Sequence, residues 1–323
     1  LLNFIEMNPV DNPYTPGAGV PPAFLAGRDD ILKAASLAFN RKIKGNFAKS
    51  QLMLGLRGVG KTVLLNRINN DAEEAGCQTA FVEASSDTNF PELITPELHG
   101  ILLKLDRKKK AGKDISKAFN ALRGFASIFN VKYGDLEIGI SKAPATGKLD
   151  TDLSELFTSI GAAALNRKTV VVLFIDEIQY LQQKELEALI MALHKVSQKN
   201  LPFLFYGAGL PQIAKLAGEA KSYAERLFDF KPIDKLHPTH AKKAITDPVK
   251  KYGVSYEAEA LLEILKQSEG YPFFLQVWGS NAWDIAKSSP ITSKDINIAT
   301  INARKDLDNG FYNVRYERLT ARQ

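Results

Sequence analysis

Six consecutive apolar residues, Val170-Val171-Val172-Leu173-Phe174-Ile175, run directly into two acids, Asp176-Glu177. The β-branched side chains favour an extended backbone. Apolar residues at every position, rather than at alternate ones, require cover on both faces, which is the condition of an interior strand in a parallel sheet flanked by helices. The predicted fold class is therefore α/β, with a mostly parallel central sheet and helices on both sides. The two acids fall at the strand's C-terminal end, where open sheets of this type hold their ligands.

A second segment sharpens this reading. Residues 55–62 are Gly-Leu-Arg-Gly-Val-Gly-Lys-Thr, filling every fixed position of G-x-x-x-x-G-K-[ST]. Gln51-Leu52-Met53-Leu54 predicts a buried strand entering this loop, and Thr62 to Ile68 the amphipathic start of a helix leaving it. That order suits a phosphate cradle. Glycines let successive N–H groups turn inward, and a helix N-terminus adds partial positive charge. The expected lining is Gly55, Arg57, Gly58, Val59, Gly60, Lys61, Thr62 and Val63. Lys61 would reach the β- and γ-phosphates, and the Thr62 hydroxyl would hold Mg2+. The hydrophobic run ending in Asp176 then reads as the Walker B element. Asp176 would complete the Mg2+ shell, and Glu177 would orient and deprotonate the attacking water.

The rest of the chain is organised around these two segments. Residues 1–25 form an arm rich in Pro and Gly, residues 26–234 the α/β core, 235–308 a helical lid, and 309–323 a link. Helices are expected at 28–41, 91–105 (kinked or restarted at Pro96), 118–130, 151–166 and 184–198, and strands at 78–84 and 201–206, the latter ended by Gly207-Ala208-Gly209. Residues 106–150 read as an insertion, with the basic run Arg107-Lys108-Lys109-Lys110 and a small hairpin over 131–140. A capping box at Thr292-Ser293-Lys294-Asp295 opens the last helix. The single cysteine, Cys77, excludes an internal disulfide framework and fits a reducing, cytoplasmic setting. No apolar run approaches the ~20 residues of a membrane helix, so no membrane partner is expected. The net charge of +6 is compatible with nucleic-acid contact without requiring it.

The order of phosphate loop, acidic strand end, second buried strand, arginine and helical lid resembles the AAA+ class of ATPases. Within it, the chain resembles the bacterial and archaeal branch of origin-recognition-type and STAND-like ATPases. The further marks are Asn12-Pro-Tyr-Thr-Pro-Gly-Ala-Gly, Leu25-Ala-Gly-Arg28-Asp29, Asp176-Glu177-Ile178-Gln179, Gly207-Ala-Gly-Leu-Pro211, Ser222 to Phe228 and Gly270-Tyr-Pro272. The resemblance implies ATP as the nucleotide, and no guanine-reading Asn-Lys-x-Asp is present. It implies that Tyr14 and Arg28 lie against the adenine, and that Pro272 stands where other members carry a lid arginine. Arg226 resembles the finger that reaches a neighbour's γ-phosphate in a homo-oligomer; a surface ion pair with Glu225 or nearby acids is the other reading of that residue. Many members place Asn, Ser or Thr at the end of the strand matching 201–206, where this chain has glycine and alanine. That departure and the missing lid arginine imply slow or partner-stimulated hydrolysis. The tail from Phe311 to Thr320 resembles the link to a winged-helix domain. The expected activity is a Mg2+-dependent ATPase switch. The alternative is a DNA-binding, origin-recognition-like module for which ATP is a structural ligand, and a protein partner fits either.

Overall fold

A computed structural model describes residues 7–87, 89–106, 112–131 and 146–312. The basic run Arg107–Lys110, the hairpin expected up to residue 140 and the link beyond residue 312 lie outside the described residues. Five strands are β1 (Ser50–Leu54), β2 (Gln78–Glu83), β3 (Val171–Asp176), β4 (Phe203–Gly209) and β5 (Phe228–Pro232). The helices begin with α1 (Asp29–Ile43), α2 (Lys61–Glu74), α3 (Phe90–Asp106), α4 (Lys113–Ile128), α5 (Leu149–Asn166) and α6 (Gln183–Gln198). They continue with α7 (Gln212–Ala220), α8 (Ala224–Leu227), α9 (Pro238–Lys250), α10 (Ala258–Ser268), α11 (Pro272–Ile285) and α12 (Ser293–Leu307). None is long and apolar enough to cross a membrane.

The chain divides into two compact units. One holds Asp30–Arg57 and Leu64–Ile233; the other holds the residues up to Asp29, those from Asp234 on, and Gly58–Val63.

The first unit is built on a sheet in the order β2-β3-β4-β1-β5, with every pairing parallel. All six residues of β3 are buried, as an apolar run of that kind demands. Its side chains alternate between faces. Val171, Leu173 and Ile175 pack into one cluster with Leu156, Phe157 and Ile160 of α5 and Leu189 and Leu193 of α6. On the opposite face Phe174 stacks on Tyr206, which in turn meets Phe39 of α1. Helices therefore cover both sides.

Two elements differ from the sequence expectation. Pro96 lies inside one continuous α3 that does not restart there; its face with Ile94, Leu98, Ile101 and Leu102 is wholly buried, and that packing outweighs the lost hydrogen bond of one proline. And β4 runs on to Gly209 instead of turning after Tyr206. Gly207, Ala208 and Gly209 pair in register with Leu52, Met53 and Leu54 of β1. A Cβ on Gly207 would come within 2.7 Å of Leu52 Cδ2, so the glycine there serves close strand approach rather than a turn.

The second unit is helical, with Trp278, Trp283, Leu275, Ile264, Ile245 and Ile296 in its core. The proline-rich arm is part of that core. Tyr14 is buried among these residues, and the Trp283 indole donates to Asn8 O at 2.8 Å. The Asn12 amide donates to Asp284 Oδ1 at 2.8 Å and to Ser280. α12 opens with the expected capping box, Thr292 and Asp295 each bonding the other's backbone N–H.

Candidate functional site

The glycine-rich segment leaves the C-terminal end of β1, where Gly55 N–H donates to Gly209 O at 3.1 Å. Gly58 and Gly60 have φ of +84° and +86°. Side chains rarely adopt that region, so glycine is needed at both positions. Arg57 is exposed and donates to the Tyr180 hydroxyl at 3.1 Å. Lys61 is the first residue of α2 and is buried, as is Val59, while Thr62 and Val63 are half-buried.

Gly58–Val63 sits within the helical unit and is held there by main-chain contacts. Phe273 N–H, in the first turn of α11, donates to Gly58 O at 3.2 Å. Pro272 precedes it at the helix's first position, where its missing N–H removes no bond. The Arg28 guanidinium donates to Val59 O at 3.2 Å and to Asp234 O at 2.6 Å. Burial pulls the Arg28 pKa below its ordinary value, and the nearby Asp234 carboxylate opposes that shift. Arg28 thus braces the loop's backbone. The Tyr14 hydroxyl donates to Ile245 O at 2.6 Å and meets the Tyr256 hydroxyl at 2.7 Å. Both residues expected at an adenine are fastened inside the helical unit.

In the sheet unit, β3 ends in Asp176, buried, with Oδ1 accepting the Glu177 N–H at 2.8 Å. Glu177 has φ of +51°. A left-handed backbone costs a non-glycine residue about 1–2 kcal/mol, and such strain collects at functional turns. The turn continues as Ile178–Tyr180. Gln179 donates through Nε2 to Glu177 Oε2 and accepts Leu210 N–H through Oε1 at 3.2 Å. The sequence marked Gln179 only as part of a motif. Its position two residues past the second acid is the one local signal of this contact.

Asp176 and Glu177 thus stand at the end of β3, and Gly55 at the end of β1, on either side of β4 in one sheet edge. Arg226 lies apart in α8. It is exposed, and its guanidinium makes no ion pair or hydrogen bond among the described residues, so the pairing with Glu225 is not formed. Nearby, His194 stacks on Tyr223 with ring centroids 4.1 Å apart. Partial burial, then the charges of Arg226 and Lys195, hold the His194 pKa below its usual value.

A parallel sheet with helices on both faces, a glycine-forced loop after the first strand and paired acids after the third define a P-loop ATPase fold of the AAA+ class. Residues 25–205, more than half of the chain, match the family model described as an AAA ATPase domain. The chain belongs to that family. Among solved structures it is similar to a Walker-type ATPase of Pyrococcus abyssi, with a TM-score of 0.59 at 14% identity, over 93% of this chain and 77% of that one. It is also similar to a RuvB variant of Thermotoga maritima, with a TM-score of 0.50 at 18% identity, over 85% of this chain and 68% of that one. At these identities the likeness is one of fold. No curated protein matches the sequence.

Proposed function

We propose that this chain hydrolyses ATP as a Mg2+-dependent switch, slowly or on stimulation by a partner, with nucleotide-dependent closure of the helical lid and self-association through Arg226. The observation that carries the reading is the left-handed pair Gly58 and Gly60 just ahead of Lys61 at the start of α2. This backbone is the kind that turns N–H groups toward an anion. In this reading the loop holds the β- and γ-phosphates, Lys61 offsets their charge, and Glu177 takes the proton from the attacking water.

Thr62 and Asp176 each carry the kind of hard oxygen donor that Mg2+ prefers, and such an ion keeps several waters and binds largely through phosphate oxygens. When bound, it would neutralise charge developing on the transferred phosphoryl group. Binding of the triphosphate to Gly58–Val63 would reach α11 directly, because Phe273 N–H is bonded to Gly58 O. That link supports a lid that responds to nucleotide.

The deciding experiment compares the parent with Glu177→Gln in ATP binding and single-turnover hydrolysis. The variant is expected to bind ATP with parental affinity and to hydrolyse it roughly 10²–10⁴ times more slowly, the range a positioned base contributes. Parental turnover in the variant removes Glu177 as the base, and failure of the folded parent to bind ATP ends the proposal.

A further inference from the structure

In the turn after β3, Gln179 touches Glu177, yet the reaction as described gives it no part. Gln179 bridges two elements. Its Nε2 donates to Glu177 Oε2, and its Oε1 accepts the main-chain N–H of Leu210, the residue after β4, at 3.2 Å. The second contact fixes the orientation of the first: a main-chain N–H can meet only the amide oxygen, so the NH2 group must face the carboxylate. Space for the amide depends on Gly209. A Cβ there would lie 2.9 Å from Gln179 Oε1 and 2.6 Å from Ile178 Cγ2. The end of β4 is thus stripped of a side chain where the glutamine reaches in.

We infer that Gln179 is the positioning residue for Glu177, a clamp that fixes the carboxylate's rotamer and aim from the adjoining strand end. The inference rests on Glu177 being the base of the proposed hydrolysis. Gln179 transfers no proton. It acts through Glu177, whose carboxylate accepts its amide N–H.

Two variants of the full chain test this. Gln179→Met keeps the length and removes both hydrogen bonds. Its affinity for ATP is expected to stay within about twofold of the parent's, since the clamp does not add to uniform binding. Its melting temperature is expected to fall by no more than a few degrees, and its single-turnover rate by about tenfold, a part of the ~10²–10⁴ that a placed base supplies. Gln179→Glu keeps the length and the acceptor oxygens but cannot donate to Glu177, so its single-turnover rate is expected to fall at least as far while its ATP affinity again stays near the parent's. Parental turnover in Gln179→Met overturns the clamp. So does a joint fall of rate, affinity and melting temperature in Gln179→Met, the mark of a merely structural side chain. Glu177→Gln in the same assay separates the two claims. If that variant turns over like the parent, the base assignment fails, and the clamp with it. If it is inactive while Gln179→Met matches the parent, the clamp alone fails.

Discussion

Tyr14 illustrates how a residue's chemistry can be legible while its use is not. The resemblance implied a place against the adenine for Tyr14. In the fold the ring is buried and its hydroxyl meets Ile245 O and the Tyr256 hydroxyl, 231 and 242 residues away. No sequence spacing reports contacts at that range. Removing the hydroxyl takes away two buried hydrogen bonds and leaves the Tyr256 hydroxyl without this partner, so Tyr14→Phe is expected to destabilise the protein by about 1–3 kcal/mol. Chemical denaturation checks this, and an unchanged midpoint with weakened ATP binding would return Tyr14 to the nucleotide. Cys77 offers a second test at this scale. It is buried, and desolvation raises its thiol to about 11. The reactive species is the thiolate, so at pH 8 only about one thiol in a thousand would be ionised. A thiol reagent is expected to label the native protein negligibly at that pH, faster as the pH rises toward 11, and promptly once the chain unfolds. Rapid labelling of the native form at pH 8 contradicts the burial.

At the scale of elements, legibility follows how local the determining forces are. β3 and the segment Gly55–Thr62 were readable because each carries its own cause: unbroken apolar burial for one, obligatory left-handed glycines for the other. α12 declared its start through Thr292 and Asp295, three residues apart. The end of β4 was not readable, since glycines usually mark turns and only the ladder to β1 keeps Gly207–Gly209 extended. The main-chain partners of Arg28 were likewise not readable. Its nearness to the start of α1 was visible, but its carbonyl partners at Val59 and Asp234 are set by tertiary packing. A charged donor to two main-chain carbonyls is worth more than a neutral one, roughly 1.5–3 kcal/mol. Arg28→Met, which keeps the stem and drops the charge, should therefore loosen Gly58–Val63 and weaken ATP binding about tenfold or more, with the hydrolysis rate of bound ATP little altered. Titration with a fluorescent ATP analogue, paired with single-turnover kinetics, measures both. Parental affinity would show that the loop holds its shape without this brace.

For the whole molecule the remaining question is whether one copy suffices. Arg226 lies on the short helix α8 and is exposed. It makes no ion pair among the described residues, although acids are plentiful in this chain, 36 in all. A solvated arginine alone is unremarkable, because surface pairs contribute little and are often unformed. What gives it weight is the family, in which an arginine supplied by a neighbour neutralises charge on the transferring phosphoryl group, an effect that reaches ~10³–10⁵ in rate. If this chain works so, turnover per molecule must rise with protein concentration, because a lone copy lacks the finger. Arg226→Ala should then show a low, concentration-independent rate, and mixing it with Glu177→Gln should restore activity, since each variant supplies what the other lacks. Sedimentation with and without ATP would reveal the accompanying change in assembly. Turnover that is independent of concentration in the parent and equal in Arg226→Ala would assign hydrolysis to the single chain, with slow chemistry left to Glu177 and the groups that hold it.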